Sequence, residues 1–334
     1  MDRLTIAISP HIKDKVNVKS IMWGVITALL PATVWAILFF QAHALYLVLT
    51  CITAAVISEY VCQKILKKPV TINDGSAFLT GLLLALVLPP SFPLWAGVLG
   101  AVVSIVIGKH LFGGLGYNIF NPALLGRAFL SVTFPVFTTT WKMPVLNTAK
   151  FFSEGNFSIF FSGDAITSAT PLALALPKFG VLNPDIPSYL ELFFGMHSGC
   201  IGEVSAFALL IGAIYLIARR YIDWRIPFSY IGTVFLISAL IWLSNRASPT
   251  PLFHILSGGL LIGAFFMATD PVTSPVTAKG RWIFGLGAGI LTISIRIWGG
   301  YPEGVMYSIL MMNAFTPLIE KLTAPIQFGG KGKK

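Results

Sequence analysis

The chain has 334 residues, of which 55% are hydrophobic and 11% charged, with a formal net charge of +10. A soluble fold of this size does not hide so much apolar surface, and the mean hydropathy is +0.80. The composition excludes a cytosolic globular enzyme, a disordered chain and a disulfide scaffold. It predicts an all-α polytopic membrane protein rather than a barrel, because the apolar runs are continuous and not alternating.

Residues 1–20 are polar and form no cleavable signal, since the first apolar run, 21–41, is long enough to span and no small-residue cleavage site follows it. Further apolar segments lie at roughly 45–63, 78–90, 94–108 and 119–138. Ahead of the third stands Asn73-Asp74-Gly75-Ser76, in which Asp74 reads as a cap in preference to a cation ligand. At the start of the fifth stands Gly116-Tyr-Asn118-Ile-Phe-Asn121-Pro122-Ala-Leu-Leu-Gly126-Arg127. Two carboxamides three apart predict one shared helix face, and each offers donors and an acceptor for the mixed edge of a heterocycle. The competing reading is an Asn cap with the second Asn joining helices, and from chemistry alone it leads. Arg127, inside a span, requires an anion, a π-face or water.

The stretch 139–203 is too polar to span and too long for an idle loop. It contains Asp164-Ala-Ile-Thr167-Ser168-Ala169-Thr170-Pro171, an acid followed by hydroxyls and small side chains, with Pro171 keeping Thr170 extended. Such a stretch either presents a hydroxyl to a modifying enzyme or is a Ser/Thr-rich turn, and on physical grounds alone the turn leads. Five more apolar segments follow, at roughly 204–218, 226–243, 252–268, 282–298 and 304–320, giving about ten, and Thr269-Asp270-Pro271 closes the third of this group. The expected divisions are a first membrane repeat over 1–138, an extracytoplasmic loop over 139–203 and a second repeat over 204–334.

The two groups share a pattern. Trp95-Ala-Gly-Val-Leu99-Gly100-Ala101 aligns without gaps on Trp282-Ile-Phe-Gly-Leu286-Gly287-Ala288, and each run leads to a double glycine. The third segments also correspond, at Gly81-Leu-Leu-Leu-Ala and Gly259-Leu-Leu-Ile-Gly. An odd number of spans per copy inverts the second copy in the membrane, an arrangement that places a site at the repeat interface. With the N-terminus inside, 17 of the 23 Lys and Arg fall in inside segments and one, Arg246, in the short outside loops. That skew predicts both termini in the cytoplasm and 139–203 outside. The basic residues end apolar runs and form no stripe, which excludes a nucleic-acid partner. Cys51, Cys62 and Cys200 are scattered without a CxxC, and the five histidines show no haem pairing, so neither an Fe–S cluster held by this chain alone nor a haem is predicted. No metal site and no catalytic residue is assigned.

Asp-x-x-Thr-Ser-Ala-Thr resembles a flavinylation motif. It occurs together with Asp74-Gly75-Ser76-Ala77, Asn118-Ile-Phe-Asn121-Pro122-Ala123 and Phe265-Phe-Met-Ala-Thr-Asp270-Pro271-Val-Thr-Ser-Pro275. In that order, over nearly the whole chain, the set resembles the D subunits of Rnf ion-translocating electron-transport complexes and the related B subunits of Na⁺-translocating NADH:quinone reductase. The resemblance implies ten helices in a five-plus-five inverted repeat similar to urea channels. It implies FMN joined by a phosphoester to Thr170 through a flavin transferase, and a noncovalent riboflavin at Asn118 and Asn121; Arg127, as an intramembrane cation close to that motif, is grouped with them as cofactor-binding. It implies electron transfer between ferredoxin and NAD⁺ coupled to Na⁺ or H⁺ movement across the bacterial inner membrane. The implied partners are the other Rnf subunits (A, B, C, E and G) and membrane lipid. The first span begins after about twenty residues, whereas the quinone-reductase subunit has a longer N-terminal extension, which favours the Rnf subunit. A flavin-free channel or solute transporter on the same fold is the competing class.

Overall fold

The computed structural model describes residues 17–142, 169–175, 186–203, 205–246 and 248–325. Asp164, Thr167, Ser168, Lys150 and Lys178, and the charged residues of both termini, lie outside the described residues. Within them the chain is helical and contains no strand. Helices or helical turns stand at each of the ten apolar segments, but with very different lengths.

The first helix, α1, runs Val18–Ile65 and opens on a capping box between Asn17 and Ser20. A straight helix of 48 residues would be about 72 Å long. Gln41 prevents this: its φ of 61° and ψ of −151° break the helix into two arms, 18–40 and 42–65. The arms fold back on each other. Trp23 reaches the Asn73 carbonyl at 3.5 Å, and Lys109 joins Glu59 to Ser76, so residues roughly equidistant from Gln41 meet at the same end of the next helix. That helix, α2 (Ser76–Leu86), lies so close to α1 that a Cβ at Gly81 would sit 2.6 Å from the Cys51 carbonyl oxygen.

Helix α3 (Leu94–Ile105) continues into a π-helical turn, Val106–His110, and α4 covers Pro122–Thr133. Phe134-Pro135 ends α4, and a short α5 (Pro135–Thr139) follows. Two short helices, α6 (Pro171–Ala175) and α7 (Tyr189–Phe194), pack with Phe253 in a small satellite core. The remaining helices are α8 (Ala206–Ala218), α9 (Arg225–Ser244), α10 (Pro251–Leu256), α11 (Leu260–Ile262) running into a π-helical turn Gly263–Met267, α12 (Ala278–Trp298) and α13 (Val305–Thr323).

Among the described residues, three helices are long and apolar enough to cross a membrane: Val18–Ile65, Arg225–Ser244 and Ala278–Trp298. Others are too short. The 11 residues of α2 rise about 16 Å, roughly half a hydrocarbon core. Segment 78–90 is not an uninterrupted spanning helix because α2 ends at Leu86, ahead of Pro89-Pro90, and segment 252–268 is broken where Gly258 takes a left-handed conformation (φ 71°). Helices from both halves share one apolar core, in which Leu29, Leu47, Leu84, Leu209, Ile262 and Phe284 are all buried. In the aligned runs, a Cβ on Gly100 would meet Leu130 of α4 and one on Gly287 would meet Met312 of α13, so each glycine lets the fourth helix of its half approach the fifth.

Candidate functional site

A small cleft partly open to solvent, with about 60 Å³ of space for water-sized groups, lies where α2, the Gly263–Met267 turn and the start of α4 converge. Its walls include Ser76, Lys109, Asn118, Asn121, Phe265 and Asp270. Three of the four sequence motifs therefore meet here from distant parts of the chain.

The two Asn residues do not share a helix face, contrary to expectation. Pro122 holds Asn121 extended (φ −60°, ψ 118°) and starts the helix at itself, which leaves Asn118 in the preceding loop. Asn121 caps α4, its Oδ1 accepting from the Ala123 and Leu124 amides at 3.1 and 3.3 Å. Its Nδ2 donates to the Met267 carbonyl at 3.3 Å, so it also joins the two halves. Asn118 is buried, its Nδ2 donates to the Phe120 carbonyl at 3.3 Å, and its Oδ1 has no hydrogen-bond partner. A buried acceptor without a donor is costly unless a ligand supplies one. Asp74 behaves as a cap: its Oδ1 accepts from the Ser76 amide and hydroxyl at 2.8 and 2.6 Å.

One wall of the cleft is backed by a charge network that sequence reasoning missed. Lys109 Nζ donates to Glu59 at 2.8 Å and to Ser76 Oγ at 2.7 Å, and His110 Nε2 lies 3.3 Å from Glu59. Lys109 is 2% exposed. Its position at the end of an apolar run reads as an inside surface charge, although it faces inward. Glu59, one acid inside the 45–63 segment, was the available signal.

Arg127 finds the anion it requires. Its Nη2 donates to Glu303 Oε2 at 2.9 Å, and its Nη1 stands 4.0 Å from Glu203 Oε1. Neither acid has a local sequence pattern that announces it. Arg127 thus belongs to a second cluster, farther along α4 than Asn121.

Thr170 lies on neither cluster. It is 8% exposed and precedes α6, its Oγ1 accepting from the Ala173 amide at 3.3 Å. Ser198 Oγ donates to the neighbouring Ala169 carbonyl at 2.5 Å. Next to Ser198, burial pushes the His197 imidazole below its usual range, so it is neutral near pH 7. Between α8 and α9, Asp223 is raised by partial burial but lowered more by the Arg225 amide and by Arg281 and Arg225, and its carboxyl lies below the ordinary range.

Half-length helices, breaks at glycine and charge clusters in an apolar core define an all-helical membrane protein of the kind that builds internal sites rather than simple anchors. Residues 5–329 match the NQR2, RnfD, RnfE family, and the chain belongs to that family. It is 48% identical over 331 residues (97% of this chain, 96% of the relative) to the D subunit of the proton-translocating ferredoxin:NAD(+) oxidoreductase complex of Clostridium ljungdahlii. It is 47% identical over 329 residues (98% and 95%) to the D subunit of the Na(+)-translocating ferredoxin:NAD(+) oxidoreductase complex of Acetobacterium woodii. The D subunit of the ion-translocating oxidoreductase complex of Stutzerimonas stutzeri is 41% identical over 334 residues (94% and 92%).

Proposed function

We propose that this chain is the flavin-carrying D subunit of an Rnf-type complex, passing electrons across the inner membrane between ferredoxin and NAD⁺ in coupling to Na⁺ or H⁺ translocation. The observation that carries this reading is the end-to-end similarity to two D subunits named for that reaction. Its partners are then the remaining Rnf subunits, a flavin transferase and lipid. The charge skew supports cytoplasmic termini and an outer 139–203 loop. A five-plus-five inverted repeat is supported by the equivalent packing of Gly100 and Gly287 and by the left-handed Gly75 and Gly258, each just ahead of a short helix.

Thr170 is the residue to which FMN would be joined. Its hydroxyl oxygen accepts one hydrogen bond as a cap, and a phosphoester uses the hydroxyl proton, so the cap and the attachment are compatible. A second, noncovalent flavin would lie at Asn118, whose unpaired Oδ1 suits the N–H of an isoalloxazine edge, in a cleft whose open space of about 60 Å³ has to widen to take the ring. Asn121 holds the Asn118 loop against α4 and the Met267 carbonyl. When bound, such a flavin supplies one- and two-electron redox chemistry; the chain binds it, orients it and keeps water from it. Replacing Asn118 with Leu in the assembled complex removes the acceptor at roughly constant volume. Affinity for the noncovalent flavin is expected to fall roughly tenfold, the loss implied by one hydrogen bond of about 1.4 kcal/mol, and ferredoxin:NAD⁺ activity to fall with it, with covalent FMN retained. Unchanged activity would make Asn118 merely structural.

A further inference from the structure

Three interruptions of helical backbone meet at the Arg127 cluster. The segment 200–203 pairs with the end of α2, Ile201 N donating to the Leu88 carbonyl at 3.0 Å and Gly202 N to the Leu86 carbonyl at 2.6 Å. The break between α10 and α11 contributes Gly259, whose amide donates to Glu303 Oε1 at 2.5 Å. The turn between α12 and α13 contributes Glu303 itself. Irregular backbone deep in an apolar fold is retained where it lines a site.

The two acids of this cluster are held unequally. Glu303 has a donor on each oxygen, Gly259 N on Oε1 and Arg127 Nη2 on Oε2. Glu203 is 6% exposed, and its Oε2 takes one long hydrogen bond from the Cys200 amide at 3.3 Å. Its Oε1 is buried without any hydrogen-bond partner, and the Arg127 guanidinium is 4.0 Å away. The other charged and titratable groups facing the pair are Arg296 from α12, Tyr230 from α9 and Cys200 from the Glu203 segment. Arg296 Nη1 and Nη2 donate to the carbonyls of His254 (2.5 Å) and Ser257 (3.2 Å), while its buried Nε has no hydrogen-bond partner.

A buried carboxylate oxygen without a donor is costly as an anion and tolerable as an acid. Two neighbouring carboxylates also disfavour double ionisation. We propose that Glu203 and Glu303 form a proton-binding pair, in which Glu303 is the anion fixed by Arg127 and Gly259 and Glu203 holds one exchangeable proton. Taking up that proton from water converts Glu203 from an acceptor without a donor into a donor beside Glu303. A proton fits better than Na⁺. Hard cations seek several oxygen ligands, whereas among the His, Cys, Asp and Glu side chains of the described residues the one that joins the two carboxylates within 4.8 Å is the Cys200 thiol, and Arg127 already supplies the positive charge.

Infrared spectroscopy of the full-length chain in lipid nanodiscs, recorded in H₂O and D₂O, tests the pair. At neutral pH one carboxylic-acid carbonyl component that shifts on deuteration is expected, and it should be lost in Glu203→Gln and in Glu203→Met while helix content is unchanged. Its persistence in both variants overturns the assignment, as does its absence from the parent chain. Loss in Glu303→Gln with retention in Glu203→Gln would place the proton on the wrong partner and also overturn it. A component that vanishes at constant pH when Na⁺ replaces K⁺ would identify the occupant as a metal cation, against the proposal.

Discussion

Asn118 and Asn121 illustrate how three residues of spacing conceal two different tasks. Asn121 satisfies two amides at the head of α4 and one carbonyl across the molecule, so Asn121→Leu is expected to cost about 1 kcal/mol or more in stability. Asn118→Leu removes an oxygen that nothing in the fold bonds and only one long hydrogen bond, from Nδ2 to the Phe120 carbonyl at 3.3 Å, so it should lower the melting temperature of the chain in detergent by clearly less than Asn121→Leu. Equal destabilisation by both would contradict this division. Arg127 differs from either. Arg127→Met leaves the largely buried Glu303 with the Gly259 amide as its remaining donor, and a loss of about 2–3 kcal/mol is expected, read as a clear fall in thermal midpoint. A shift no larger than that of an ordinary surface substitution would show that the pair is not buried in the membrane-embedded chain. The sequence announced Arg127 as a charge needing a partner, but the partners lie 76 and 176 positions away. Long-range pairing of that kind leaves no periodic trace.

At the scale of elements, the apolar segments were legible because long hydrophobic runs and Pro or Ser/Thr starts are local signals. Asn121-Pro122 and Thr250-Pro251 each open a helix as a capping residue followed by proline. The polar Gln41-Ala-His43 step marks the break in α1, although only the backbone shows that Gln41 alone makes the turn. The shortness of α2 was legible in the short apolar run 78–90 that ends on Pro89-Pro90, but the interruption before α11 was not, since continuous hydrophobicity does not reveal where hydrogen bonding stops. Gly258 is where that matters most. Its φ is +71°, and an added Cβ would sit 2.7 Å from Leu172 and 3.1 Å from Arg296 Nη2. Gly258→Ala thus combines about 1–2 kcal/mol of left-handed strain with a clash between α6 and the Arg127 cluster. The expected result is a clearly lowered thermal midpoint, whereas the same change at Gly232, which has open space around its Cβ position, should be nearly neutral apart from propensity. Similar midpoints for the two would refute the packing argument.

For the whole molecule, the arrangement puts two internal polar regions at different places in one apolar core. The cleft gathers Asn118, Asn121, Ser76, Lys109 and Asp270, and the second cluster gathers Arg127, Glu203, Glu303 and Arg296. Thr170 stands apart from both, at the head of the short helix whose Leu172 reaches Gly258 above the second cluster. A covalent flavin at Thr170 and a noncovalent one at Asn118 would therefore be served by different parts of the fold. The central claim is that the chain carries its own flavin at Thr170. The most direct test is peptide mass mapping of the full-length chain co-expressed with a competent flavin transferase, alongside Thr170→Val. The account predicts an FMN phosphoester on Thr170 in the parent chain, in-gel flavin fluorescence from it, and neither signal in the Thr170→Val chain at equal membrane insertion. FMN mapped to Thr167 or Ser168, or a parent chain that carries no flavin, would contradict it.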